Sequence, residues 1–141
     1  MAIVWSIIVW SFTARNSKTN LEKVMFDEDE ARLPAEVWID AVLRKLQNEG
    51  HSVYIVNKGA YASGTVLLKI NGLGNGFRLL SQIRNIEGEL GWMHALGEEN
   101  PEELAIDTYI SRAISRDPDI WVIEIESRAL ANPFDGKLFA L

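Results

Sequence analysis

Four carboxylates crowd one short stretch near the end of the chain. Asp117 and Asp119 flank Pro118, and Glu124 and Glu126 close the run Ile120-Trp121-Val122-Ile123-Glu124-Ile125-Glu126. Hard cations such as Mg²⁺ and Mn²⁺ take oxygen ligands of this kind, and acids gathered at a strand are how many metal-assisted phosphoester-cleaving sites are built. The spacing resembles the acidic half of a nuclease motif, but the lysine such a motif needs would stand where this chain has Glu126. The plainer reading puts Glu124 and Glu126 at the solvated end of one sheet face, the usual place for charges on a strand. The acids motivate an alternative function, a metal-dependent phosphoesterase-like or nucleic-acid-processing enzyme. They assign no metal and no cofactor.

Other chemistry is weaker. His51 and His94 are far apart with no ligand-like spacing. His51 follows the glycine that stops a helix, and His94 alternates with Leu90, Trp92 and Leu96 as a structural histidine on an apolar face would. The run Gly72-Leu73-Gly74-Asn75-Gly76 is followed by strand-like residues, whereas a phosphate loop needs a helix N-terminus after its glycines. It reads as a hairpin turn. Arg78, Gln82 and Arg84 share one strand face and read as a solvated outer surface before they read as an anion site. There are no cysteines, which removes disulfides, thiolate metal sites and cysteine nucleophiles. No serine sits in a nucleophile-elbow setting. Trp38, Trp92 and Trp121 read first as a shared core cluster. The alternative is an aromatic patch for a protein partner, since tryptophan is enriched in interface hot spots. The candidate binding residues are therefore Trp92, Asp117, Asp119, Trp121, Glu124 and Glu126, with no catalytic residue among them.

The elements that position these residues can be read from periodicity. Pro34 and Glu36 open a helix in which Trp38, Ile39, Val42, Leu43 and Leu46 recur at helical spacing until Gly50. Ser52-Val53-Tyr54-Ile55-Val56 is apolar on both faces, as a central strand would be. Thr65–Asn71, Phe77–Arg84 and Glu89–Leu96 follow as strands separated by short turns, which makes a meander. Asn100-Pro101-Glu102-Glu103 has the form of a capping box, so a second helix is expected from there, carrying Ile106, Tyr109, Ile110, Ala113 and Ile114 inward. Asp117-Pro118 ends it. The last strand follows, then a turn-rich tail. The expected fold is a two-layer α+β domain of order α-β-β-β-β-α-β, with a mainly antiparallel sheet of four or five strands and both helices on one face.

A chain of 141 residues with 48% hydrophobic and 24% charged composition fits one globular domain. Its net charge of −6 disfavours nucleic acid as a partner and reads as solubility. Residues 1–31 read as an N-terminal extension and residues 32–141 as the domain. The first twelve residues are apolar, but a bilayer span needs about 20. Three readings stand for residues 1–24: an upstream extension from a misplaced start ahead of Met25, a shallow membrane anchor formed by residues 1–13, or a strand added to the sheet. Without such an anchor, the expected location is the cytoplasm.

With the elements in place, the chain resembles an alphaproteobacterial family, domain of unknown function 1491. The resemblance rests on Arg32-Leu33-Pro34-Ala35-Glu36-Val37-Trp38-Ile39, Gly64-Thr65-Val66-Leu67-Leu68-Lys69-Ile70-Asn71, Gly91-Trp92-Met93 and, most specifically, Asp117–Glu126. Members look like small proteins beginning near Arg32. The loop Lys58-Gly59-Ala60-Tyr61-Ala62-Ser63 departs from the pattern, in which an Asp commonly follows the glycine, and the tail after Arg128 is longer. The resemblance implies no catalytic residues. The functional expectation is a small non-enzymatic accessory or adaptor domain acting through a protein partner or self-association.

Overall fold

The computed structural model describes residues 33–139. The three readings of residues 1–24, and the extension 1–31 itself, lie outside them. Helix α1 spans Ala35–Asn48. Strands β1 (Val53–Asn57), β2 (Val66–Asn71), β3 (Phe77–Arg84) and β4 (Leu90–His94) follow it. Helix α2 (Glu103–Arg116), strand β5 (Trp121–Glu126) and the two-residue strand β6 (Lys137–Leu138) complete the order.

The sheet has six strands in the order β1-β5-β2-β3-β4-β6. The pairs β1/β5, β2/β3 and β3/β4 are antiparallel, while β2/β5 and β4/β6 are parallel. This mixed sheet replaces the expected four- or five-stranded, mainly antiparallel one. The chain leaves the meander through α2 and returns β5 into the middle of the sheet beside β2, so β1, expected to be central, is left at the edge. The sixth strand arises in the tail, where two residues give no periodicity to read.

The helices lie on opposite faces of the sheet, not on one. Strand side chains alternate between faces. Val66, Leu68 and Ile70 of β2 and Trp121, Ile123 and Ile125 of β5 pack with Ala35, Ile39 and Leu43 of α1. Leu67 and Val122, between them in sequence, pack with Ile106, Ile110 and Ala113 of α2. A strand covered on both faces is apolar over most of its length, and β2 and β5 are so apart from Lys69, Asn71, Glu124 and Glu126. Each such buried aliphatic side chain contributes roughly 1.5–3 kcal/mol relative to exposure, so the two central strands anchor both layers.

Local signals explain the element ends. The β2–β3 turn is closed by Gly72 N–H donating to the Gly76 carbonyl at 2.8 Å, with Gly74 and Gly76 at positive φ. It is the hairpin expected. The capping box is not formed. Glu102 is the residue before α2, with no side-chain cap, and Asn100 lies outside the helix.

Candidate functional site

The four acids do not converge. Asp117 Oδ1 accepts the backbone N–H of Asp119 at 3.0 Å, which shapes the turn into β5. Both residues are exposed there. Glu124 and Glu126 project from β5 toward the α2 side, since the flanking Ile123 and Ile125 face α1. Among the described residues no group of three or more His, Asp or Glu side chains could hold a metal ion.

Glu124 has a different partner, which the sequence reading missed. Lys69 is buried within β2, and its ammonium donates to Glu103 Oε2 at 2.9 Å and Asp107 Oδ1 at 2.8 Å, both on α2. Glu124 Oε1 stands 4.0 Å away, and the Phe77 ring centroid 5.5 Å. Burial pulls the lysine pKa down, but the hydrogen bonds it donates to Asp107 and Glu103 and the field of Glu124 outweigh that and hold the pKa above its ordinary 10.5. The group is an electrostatic tie between α2 and the sheet. A signal was available: a lone lysine inside Val66-Leu67-Leu68-Lys69-Ile70 must be paired if that strand is buried on both faces.

Trp92 and Trp121 sit in the α1-side core, at 0% and 1% exposure. Each indole N–H ties down a loop: Trp92 Nε1 donates to the Asp135 carbonyl and Trp121 Nε1 to the Ala60 carbonyl, both at 2.9 Å. Phe134 packs against Trp92 and edge-on against Trp38. The tail is thereby clasped over β4, and Phe139 N–H continues the clasp by donating to the Trp92 carbonyl. His94 is buried, and its Nδ1 has no hydrogen-bond partner among the described residues. Arg78 and Arg84 are spoken for, donating to the Leu130 and Gly88 carbonyls, so the face they share with Gln82 makes no open anion cradle.

The feature that remains is the outer edge of β1. Among the described residues no strand pairs with it. Tyr54, Ile55 and Val56 are each about half exposed, at 52%, 47% and 49%. Val53 and Ile55 pair with Ile125 and Ile123 and so face α1, while Tyr54 lies opposite Glu124 on the α2 side. Between Ile55 and Asn57 the register shifts by a bulge. Asn57 Nδ2 then donates to the Ile120 carbonyl at 2.7 Å and fixes the strand end.

Beside the edge, on the α1 side, runs a groove of about 310 Å³ lined by Val37, Ile55, Lys58 and Tyr61 among others. Its wall is the loop after β1. Ala62 and Tyr61 carbonyls accept the first α1 amides, Ala35 and Glu36 N–H, at 3.0 Å each. Ala60 N–H donates to the Asp119 carbonyl at 3.1 Å. Lys58 pairs with Glu36 at 3.4 Å on the rim. Edge strands in monomeric proteins are usually blunted by charge, proline, brevity or a bulge, and the shift between Ile55 and Asn57 is the one such device in β1. The far edge follows that rule, being two residues long with Lys137 in it. β1 carries neither charge nor proline.

No helix among the described residues is long and apolar enough to cross a membrane. The protein family of unknown function DUF1491 matches residues 33–135. A DUF1491 family protein from Caulobacter crescentus CB15 is similar in its crystal structure, with 30% identity and a TM-score of 0.68 over 76% of this chain and 99% of that one. An NMR structure of a DUF1491 family protein from the same organism gives 30% identity and 0.66, over 77% and 97%. Protein Atu0922 from A. tumefaciens shares the fold at 22% identity and a TM-score of 0.56, over 68% and 86% of the two chains. No curated protein matches. The chain belongs to the DUF1491 family, whose function is unknown.

Proposed function

We propose that the domain is a non-enzymatic interaction module that completes its sheet at β1 by accepting a strand from another polypeptide. The observation that carries this reading is the uncharged five-residue edge Val53–Asn57, half exposed at Tyr54, Ile55 and Val56, set against a far edge two residues long that carries Lys137. In strand addition, main-chain hydrogen bonds supply affinity and alternate side-chain pockets supply selectivity. The groove bounded by Val37, Ile55 and Tyr61 lies where every second side chain of an added strand would fall. The acids of β5 fit this reading as scaffold: Glu124 supports the tie to α2 through Lys69.

The test is a photoreactive amino acid placed at position 54 of the full chain, expressed in cells and irradiated. The reading expects adducts to protein from position 54 and none from position 86, where Ile86 is 98% exposed in a turn remote from the edge. Equal adduct yields from both positions would contradict it.

A further inference from the structure

Resting on that strand-addition reading, we infer that the strand received at β1 is the same strand of a second copy, paired antiparallel about a two-fold axis near Ile55. An edge that exposes apolar side chains on both of its faces is complemented by a strand that is apolar on both faces and carries no charge. The chain holds such a strand in the edge itself, Val53-Tyr54-Ile55-Val56-Asn57. Pairing about Ile55 sets the two Ile55 side chains against each other on the α1 side and Tyr54 opposite Val56 on the other.

Electrostatics permit this match. Two molecules of net charge −6 repel at long range, so they associate only where the facing surface is locally neutral. No charged residue lies within β1; Lys58 and Glu36 on the groove rim pair at 3.4 Å, and Glu124, opposite Tyr54 on β5, stands 4.0 Å from the Lys69 ammonium. Lys58 lies past the end of β1 and beyond the bulge, well away from its own counterpart across an axis near Ile55, so no like charges meet there. The main rival occupant is the apolar segment 1–12 of the same chain. That segment lies outside the family match, which begins at residue 33, whereas the edge lies inside it. A five-residue edge is smaller than a standard interface of about 1,600 Å², so the dimer is a weak, micromolar one.

The absence of cysteine makes the register directly testable in the full chain. Opposed residues in antiparallel strands stand about 4.5–5.5 Å apart at Cα, within the ~4.4–6.8 Å that a disulfide spans. Ile55→Cys should oxidise to a covalent dimer and Ile86→Cys should not. A mixture of Tyr54→Cys and Val56→Cys should give more dimer than either alone. The protein without substitutions should sediment as monomer near 1 µM and as dimer at a few hundred µM, and Ile55→Lys should stay monomeric with unchanged far-UV circular dichroism. Ile55→Cys linking no faster than Ile86→Cys, with sedimentation monomeric throughout, overturns the second-copy inference. In that event the position-54 probe separates the two failures. Adducts to a different protein leave strand addition standing, while links only to residues 1–12 of the same chain, or none at all, remove both.

Discussion

Lys69 is where the fold puts most at stake on one side chain. Its ammonium is buried, yet Glu103 and Asp107, its two close partners, are about half exposed, at 48% and 53% of their side chains. That asymmetry predicts which deletion hurts. Glu103→Gln combined with Asp107→Asn leaves a buried cation facing only Glu124 at 4.0 Å. Breaking a buried pair in this way costs about 3–5 kcal/mol when the remaining charge is fully desolvated. Glu124 still offers part of the compensation, so about 2–3 kcal/mol is expected. Lys69→Met leaves carboxylates that can turn into water, and solvent screening discounts what they lose. About 1 kcal/mol is expected there, the scale of a modest hydrogen-bond loss. The triple variant, with cation and anions all removed, should fall below the double acid variant in cost, because no buried charge is left. Urea unfolding of the full chain reads all three, and at roughly 4 °C per kcal/mol the double variant should melt about 10 °C lower. The reasoning is refuted if Lys69→Met costs more than the double acid variant.

The same lysine gives a pH signature. A folded-state pKa held above 10.5 contributes stability that is complete below that value and lost as pH rises through the folded pKa. The stability gap between the protein and Lys69→Met should therefore be flat from pH 7 to 10 and close above about 10.5, followed by denaturant midpoints. Glu89 is held below its ordinary 4.5 by a hydrogen bond from Asn85 and by Lys137, so Asn85→Ala should raise its titration midpoint in a carboxyl-carbon NMR titration. Gly59→Ala would drive a methyl into the Asp119 carbonyl and the Trp121 ring, and about 2–3 kcal/mol should be lost, as in other overpacked sites. Phe134→Ala should cost about 3 kcal/mol and raise iodide quenching of tryptophan fluorescence, because Phe134 covers Trp38 and Trp92. Mn²⁺ at millimolar concentration should leave the melting temperature unchanged, since Asp117 holds a turn amide, Glu124 faces Lys69, and the four acids do not converge.

How much of this was legible follows from which forces are local. The helices, the five main strands and the Gly72–Gly76 turn are written in short-range periodicity and in glycine's access to positive φ, and the structure has them within a few residues of where they were expected. Strand order is set by long-range packing, which local periodicity does not carry. The run from Val53 to Val56 looked central because it is apolar on both faces, but β5 returns beside β2 and leaves β1 outside. The alternation of Leu67 and Lys69 with Val66, Leu68 and Ile70 held the clue that both faces of β2 are covered, and hence that the helices lie on opposite sides. Trp92 and Trp121 were legible as core. The Lys69 tie was not, because its partners lie 34 and 38 residues away on a helix whose face was misassigned.

The β1 edge is also where strand addition is proposed, and amide exchange tests it most directly. In the full chain, the outward N–H groups of Val53–Asn57 should exchange more slowly at several hundred µM than at 1 µM, while those of the Asn85–Glu89 turn stay unchanged. If the β1 amides exchange at the same rate across that range, β1 does not accept a strand from a second copy. If they are also as fast as an isolated peptide's in cell extract, the edge accepts no strand at all.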